Sequence, residues 1–486
     1  MSDYVSFAPI TEGKQMLEKI FKAYDIRGVY GPAGGGVLDE NTARRIGFAT
    51  GDLLKQLNGN TPGQILVSRD MRPSSESLAA ALSEGIRTAG MNVTDLGMCD
   101  TSMQYFAINH LGAIGGVQTT ASHNPMQYNG FKISGPQAKP IGEQTGLKEI
   151  RKIAESVSNW PPDTDAEPGS YQELDLWSAY REHIRSFLAP LPRPVTVFVD
   201  ASNGMAGKLV PQVFHNIENL TLIPLNFEIG QGFAHEPNPL VAENMVPTQE
   251  GVREHAASLG ACFDGDADRC MLVDDTGEIV GCDHLTALLA HHFVEIDRKN
   301  PLIETPRIVY DLRSSKVVEQ TVRELGAEPV RCRVGHVFMK AALREYDAAF
   351  GGELSGHFYY RDNYYADSGA ITLAAVLSIL GQQEKPLSEL IAPFRRYPQS
   401  GEINFQVEQK EAVLEALRRD YAHVANVDEL DGVTIDSFDS QGWWFNVRPS
   451  NTEPLLRLNA EARDRETLTR LLEELKPRLG EPAAAH

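Results

Sequence analysis

Cysteine is scarce in this chain. Five of 486 residues are cysteines (Cys99, Cys262, Cys270, Cys282 and Cys332), and no two stand in a CxxC or other zinc-ligand spacing. That argues against a cysteine-based zinc site, and an odd, low count fits reduced, mostly buried thiols in a cytosol. Positive charge is also short. The 45 Lys and Arg stand against 66 Asp and Glu, for a formal net charge of −21. A general binder of nucleic acid or of anionic membranes needs a positive field, so neither class fits. A local cluster of Arg and Lys can still hold an anionic small molecule. Long apolar runs are missing too: none approaches the ~18 residues of a membrane helix. Residues 1–16 lack the basic stretch and apolar core of a secretion signal, so a cytoplasmic protein is expected. The last residues, Glu481 to His486, read as a loose tail.

Apolar residues make up 42% and charged residues 23%, as in soluble globular proteins, and the length suggests several domains. Gln64 to Ser68 is a buried-strand pattern. A helix follows with Leu78, Leu82 and Ile86 on one face and Ser74 or Ser75 as its cap, then a strand from Met91 to Leu96. This is a βαβ unit, which implies parallel sheet. A proline-rich acidic stretch from Trp160 to Gly169 marks a boundary. The pattern restarts at Val195 and again at Arg307, where Ser314 or Ser315 can cap a helix. The last segment differs: strands near Ile403–Val407, Val433–Phe438, Trp443–Val447 and Leu455–Leu458, with helices over Glu408–Val424 and Arg465–Leu479. The expected fold is three related mixed α/β domains in series plus a smaller C-terminal α+β domain on an antiparallel sheet. The expected boundaries are 1–160, 161–278, 279–396 and 397–486.

Four stretches carry chemistry. In Thr119-Thr120-Ala121-Ser122-His123-Asn124-Pro125, a serine sits at a strand-to-loop corner. On extended chain Ser122 and His123 would point opposite ways, so His123 is not expected to serve Ser122 as base. In Asp264-Gly265-Asp266-Ala267-Asp268-Arg269, carboxylates at alternate positions lie between apolar runs. Unpaired, they would repel; a Mg²⁺ or Mn²⁺ ion resolves that. Arg269 and Asp275 stand where an EF-hand needs glycine and glutamate. Gly351-Gly352-Glu353-Leu354-Ser355-Gly356-His357 is a glycine-rich loop without a Walker lysine, and Glu353 and Ser355 would share one side of an extended loop. Arg448-Pro449-Ser450-Asn451-Thr452-Glu453-Pro454 is an anion-binding loop by type. A short segment at Tyr24 to Gly28 and a Gly335-His336 pair add polar groups.

These segments, in this order, resemble the α-D-phosphohexomutase superfamily, nearest its bacterial phosphomannomutase/phosphoglucomutase branch, over essentially the whole chain. The resemblance implies four domains around a central cleft, each giving one loop. It implies that Ser122 is carried phosphorylated, that Asp264, Asp266 and Asp268 hold one Mg²⁺ that also contacts the serine phosphate, and that Lys132 lies beside the serine. Catalytic candidates are thus Ser122, Lys132, Arg27, His123, Arg269 and His336. Substrate-binding candidates are Tyr24, Arg313, Gly335, Glu353, Ser355, His357, Arg448, Ser450, Asn451 and Thr452. Arg313 stands where some relatives have lysine. Asn451 and Leu354 stand where glucosamine-type relatives usually carry glycine and glutamine, which points to hexose substrates.

The implied activity is an isomerase that interconverts hexose 1-phosphate and hexose 6-phosphate, of mannose or glucose, through a hexose 1,6-bisphosphate that also serves as activator. Expected partners are small phosphosugars, with neither nucleic acid nor membrane. A metal-dependent sugar-phosphate phosphatase would use similar Asp loops but release phosphate. A non-catalytic sugar-phosphate binding protein would need neither Ser122 nor the metal.

Overall fold

The computed structural model describes residues 17–31, 36–230, 232–450, 455–480 and 482–483. The rest lie outside the described residues, among them Asn451, Thr452, Gly34, Gly35 and most of the expected C-terminal tail. Two compact units are formed. The first runs to Ile279 and also takes in Asp362–Pro386; the second holds Val280–Arg361 and the chain from Leu387 onward.

The first unit contains two mixed sheets. One has the order β1-β5-β4-β2-β3-β6, with β1 at Ile26–Val29, β2 at Gln64–Arg69, β3 at Asn92–Met98, β4 at Gly115–Thr119, β5 at Tyr128–Ser134 and β6 at Tyr171–Glu173. Strands β4, β2, β3 and β6 run parallel, while β5 pairs antiparallel with β4 and with β1. β6 brings the chain back to this sheet beyond the proline-rich stretch, so the first sheet extends past the expected boundary at 160. The other sheet has the order β10-β9-β7-β8, from β7 (Val195–Asp200), β8 (Leu220–Leu225), β9 (Leu259–Phe263) and β10 (Cys270–Val273). Here only the β9–β10 pair is antiparallel.

In the second unit, β11 (Arg307–Asp311) pairs parallel with β12 (Glu328–Cys332) and β13 (Phe350–Gly352), and β13 pairs antiparallel with β14 (Phe358–Tyr360). The final sheet has five strands, antiparallel throughout, with the helices Lys410–Tyr421 and Arg465–Leu479 contributing Leu414, Leu417, Leu468, Leu471 and Leu475 to its core.

One device recurs. In each of the three α/β sheets a parallel strand turns back as an antiparallel neighbour, and the turn between them is a chemistry-bearing loop: 120–127 after β4, 264–269 after β9, 353–357 after β13. The fourth such loop joins Trp443–Pro449 to Leu455–Ala462, again antiparallel. Rigid sheet thus anchors both ends of the three loops in the α/β sheets, which is how short segments acquire fixed side-chain positions.

The helix Ser75–Thr88 buries Leu78, Leu82 and Ile86 as its periodicity predicts, each worth about 1.5–3 kcal/mol of burial. Its caps differ from expectation. Neither serine caps it: the Ser74 hydroxyl accepts from Asn129 Nδ2 at 2.8 Å, and the Ser75 hydroxyl donates to Asp70 at 2.5 Å. Those hydroxyls are committed to the network beneath the serine loop. Ser315, by contrast, caps the helix Lys316–Glu324 through Val317 N as expected.

Candidate active site

Ser122 does not lie on extended chain. Its φ is 49°, in the left-handed region, where a side chain costs roughly 1–2 kcal/mol. The turn brings Ser122 Oγ to 3.4 Å from His123 Nδ1, so the two side chains meet rather than diverge. Burial, then the cations Arg269, Arg27 and Lys132, hold the His123 imidazole well below its ordinary pKa and therefore neutral.

Arg72 holds this strained turn in place. Its guanidinium donates to the carbonyls of Ser122 (2.8 Å), Asn124 (2.7 Å), Pro125 (2.7 Å) and Tyr128 (3.0 Å), and Nε donates to Asp70 at 3.0 Å. Asp70 also accepts from the Thr120 hydroxyl at 2.7 Å, and that hydroxyl accepts from Ser122 N at 2.9 Å. Arg72 and Asp70 are fully buried side chains. Replacing Arg72 with leucine leaves a buried carboxylate without its counter-charge and four carbonyls without their donor. The expected cost is about 3–5 kcal/mol, read as a lower Tm together with faster amide exchange across residues 120–128; an unchanged Tm would contradict this role.

The Asp264 loop meets the serine directly. Asp264 Oδ2 accepts from Ser122 Oγ at 3.1 Å and from Arg269 Nε at 2.8 Å. Gly265 permits the approach: a Cβ there would lie 2.4 Å from the Ser122 carbonyl oxygen. Asp264, Asp266 and Asp268 are buried and offer oxygens within 4.8 Å of one another. Lys132 Nζ bridges Asp266 and Asp268, at 2.6 Å from an oxygen of each. Thr101 donates to Asp266 at 2.5 Å.

Burial pushes the Asp264 carboxyl up to about 7, against the pull of Arg269. Burial and Asp268 also push Asp266 up, but Lys132 and Thr101 outweigh them and hold it below the ordinary carboxylate value. The Lys132 ammonium, which burial alone would lower, is raised well above its ordinary pKa by Asp266 and Asp268. With all three carboxylates ionised, Lys132 and Arg269 would leave one net negative charge. Asp266 Oδ1 is buried with no hydrogen-bond partner. A small oxygen-seeking divalent cation fits this donor set.

Arg27 links the N-terminal segment to the same loop, donating to Asn124 Oδ1 and to Asp25, each at 2.5 Å. Beneath the Asp264 loop, the helix Thr101–His110 is capped by Asp100, which accepts from Met103 N at 3.2 Å and from the Tyr180 hydroxyl at 2.7 Å. Burial pushes the Asp100 carboxyl up to about 7. A folded pKa above the unfolded one means that the folded chain keeps a proton that the unfolded chain releases. Stability from this group is therefore full at low pH and is lost as pH rises from about 4 to about 7. The Tm is expected to fall more between about pH 5.5 and about pH 8 in wild type than in Asp100→Asn; an equal fall would contradict this assignment.

The second unit gathers the other candidates. The segment 353–357 is a tight turn rather than extended chain: Glu353 N bonds His357 O at 3.0 Å, and Gly356 has φ 86°. Glu353 and Ser355 therefore do not share a side in the simple way expected. Glu353 is buried, accepting from Gly335 N at 3.0 Å and from the Tyr359 hydroxyl at 2.8 Å, while Ser355 Oγ lies 3.0 Å from His357 Nδ1. The His336 and His357 rings are 6.4 Å apart.

Arg313 grips Asp311 through Nη2 at 2.6 Å and Nε at 3.0 Å. Arg448 Nη2 donates to Glu402 at 2.9 Å, and Ser450 Oγ accepts from Arg457 at 3.3 Å. Asp70, Arg72, Glu402, Arg457 and Tyr359 were not read from the sequence. The polar run Arg69-Asp70-Met71-Arg72 directly after a buried strand was the one available signal.

Residues 18–160, 178–277 and 282–397 match the models described as phosphoglucomutase/phosphomannomutase alpha/beta/alpha domains I, II and III, and 402–477 match the C-terminal domain of the same family. A phosphomannomutase of Escherichia coli is 38% identical over 452 residues, covering 91% of this chain and 95% of its own. One from Vibrio cholerae is 37% identical over 472 residues, covering 94% and 98%. The crystal structure of a phosphoglucomutase/phosphomannomutase family protein from Burkholderia thailandensis aligns with a TM-score of 0.83 at 31% identity, over 96% of this chain and 99% of that one.

Proposed function

Because this chain belongs to the phosphoglucomutase/phosphomannomutase family and is a hexose-phosphate mutase, we propose that Ser122 is its phosphoryl carrier. The reaction is the interconversion of hexose 1-phosphate and hexose 6-phosphate, of mannose, glucose or both. One observation carries the assignment: a buried serine hydroxyl, held in a strained turn, lies 3.1 Å from a carboxylate of a three-aspartate cluster.

Phosphoryl transfer depends on positioning and charge neutralisation more than on covalent novelty. Asp264, Asp266 and Asp268 would hold Mg²⁺, one per subunit, which offsets charge on the phosphoryl oxygens when bound. Lys132 and Arg269 supply fixed positive charge beside the Ser122 oxygen. The P–Oγ bond of phosphoserine breaks as a P–O bond to the substrate hydroxyl forms. The attacking hydroxyl gives its proton to a neutral base, for which His336 is the candidate, and the freed Ser122 oxygen takes up one proton. When Ser122 accepts a phosphoryl group back, His123, kept neutral 3.4 Å away, takes the serine hydroxyl proton. The product is a hexose 1,6-bisphosphate, which turns round and returns its other phosphoryl group to Ser122. The same bisphosphate, added in trace, primes an unphosphorylated enzyme.

The Arg448 loop, with Ser450, Asn451 and Thr452, takes the non-reacting phosphate. Glu353, Ser355 and His357, with Tyr24, Arg313 and Gly335, take the sugar. Leu354 and Asn451 favour a hexose over a hexosamine. The four domains are proposed to divide beyond β6, rather than at residue 160, and near residues 278 and 396. The burial of all five cysteines supports a reducing compartment, the cytoplasm; among the described residues no helix is long and apolar enough to cross a membrane. ³¹P NMR with Mg²⁺, mannose 1-phosphate and a trace of glucose 1,6-bisphosphate tests the function. Hexose 6-phosphate without free phosphate is the expected result; inorganic phosphate instead would mean a phosphatase.

A further inference from the structure

In the last domain two arginines stand opposite each other. Arg448 on Trp443–Pro449 is the ladder partner of Arg457 on Leu455–Ala462. Like charges directly across a ladder repel. The neighbouring strand Gln399–Gln406 supplies the answer. Its Glu402 accepts from Arg448 Nη2 at 2.9 Å with one oxygen and from Arg457 Nη1 at 3.2 Å with the other. A third guanidinium, Arg313 Nη1, lies 3.4 Å from the oxygen that Arg448 uses. Arg313 is already balanced by Asp311. Arg448 and Arg457 thus lean on the two oxygens of one carboxylate. Arg448 Nε is buried without a hydrogen-bond partner, and the Glu402 side chain is 28% exposed, so it can move aside. Burial, then repulsion from Arg313, draws the Arg448 pKa down.

Resting on the mutase assignment above, we infer that Glu402 is a positioning residue that stands in for phosphate between Arg313, Arg448 and Arg457 and limits how tightly that loop grips a sugar phosphate. Without ligand, it keeps the guanidiniums gathered, so they need no reorganisation when phosphate arrives. With ligand, its charge opposes the phosphate. A mutase needs such a brake, because a bisphosphate must leave the loop and return reversed within one turnover. Without the opposing carboxylate, these guanidiniums would bind substrate and intermediate alike too firmly, lowering KM while slowing the turn.

The test uses Glu402→Gln, which removes the charge and keeps an acceptor of the same shape, with Glu402→Asp as the charge-retaining control. Calorimetry with glucose 6-phosphate on the full chain is expected to give a Kd on the order of tenfold lower in Glu402→Gln than in wild type. Steady-state kinetics should show kcat and KM falling together in Glu402→Gln, with Glu402→Asp restoring both towards wild type. A purely structural role would instead raise KM and Kd in both variants. Glucose 6-phosphate binding that is unchanged or weaker in Glu402→Gln would overturn this inference and leave the mutase assignment standing. A wild-type chain that binds no glucose 6-phosphate would overturn both.

Discussion

Replacing Ser122 with alanine is expected to lower kcat by at least about 10⁴-fold, because the covalent route loses its carrier and no neighbouring group replaces it. Thr120 is the nearest alternative hydroxyl in the loop. It already donates to Asp70 and accepts from Ser122 N. Moving it into the carrier's place would dismantle the turn that Arg72 holds. The fold should survive the change. Ser122 Oγ contributes one hydrogen bond to Asp264, which keeps its bonds from Arg269 Nε and Arg269 N. The measurement is a coupled assay for hexose 6-phosphate, with Tm as the control for folding. Normal mutase activity in Ser122→Ala, at unchanged Tm, would remove the serine from the mechanism.

The second large effect concerns Asp266. Asp266→Asn is expected to lower kcat by about 10³-fold, the scale of losing several kcal/mol of metal-assisted charge stabilisation. Asn can still accept from Thr101, so the local fold has a substitute for that bond. It cannot replace the charge that holds Lys132 or supply an anionic ligand. Mg²⁺ binding by calorimetry should weaken in parallel with kcat, and excess Mg²⁺ should recover only part of the rate. Full activity at ordinary Mg²⁺ would show that Asp266 is not a ligand.

Contiguous chemistry was legible in the sequence. The serine loop, the Asp264 loop, the glycine-rich loop and the Arg448 loop each gather their candidate groups within a few residues, and the first three lie between paired antiparallel strands. Groups that act across the fold were not legible. Arg72 reaches four carbonyls some fifty residues away, and Glu402 meets arginines on other strands. Glu402 does not stand out locally from an ordinary surface charge, and Arg72 is marked only by the polar run after its strand.

Side-chain direction failed wherever backbone left the regular regions. The positive φ at Ser122 brings it to His123, and the turn at Gly356 folds Glu353 and Ser355 into separate contacts. Two helices carried no readable period. Thr101–His110 is buried at its first eight positions and Gly369–Gln382 at all but two, so neither has the polar face by which a surface helix is read. The serines before Ser75–Thr88 looked like caps because capping and network residues share one chemistry.

The most direct test follows the phosphoryl group itself. The protein is incubated with Mg²⁺ and ³²P-labelled glucose 1,6-bisphosphate, freed of excess label, and divided. One part is digested and its labelled peptide located by mass spectrometry; the other is chased with unlabelled mannose 1-phosphate. Label on Ser122 that passes on the chase into hexose phosphates, with none in inorganic phosphate, is the predicted result. Turnover with no label on Ser122, or label that leaves only as inorganic phosphate, would contradict the assignment of Ser122 as carrier.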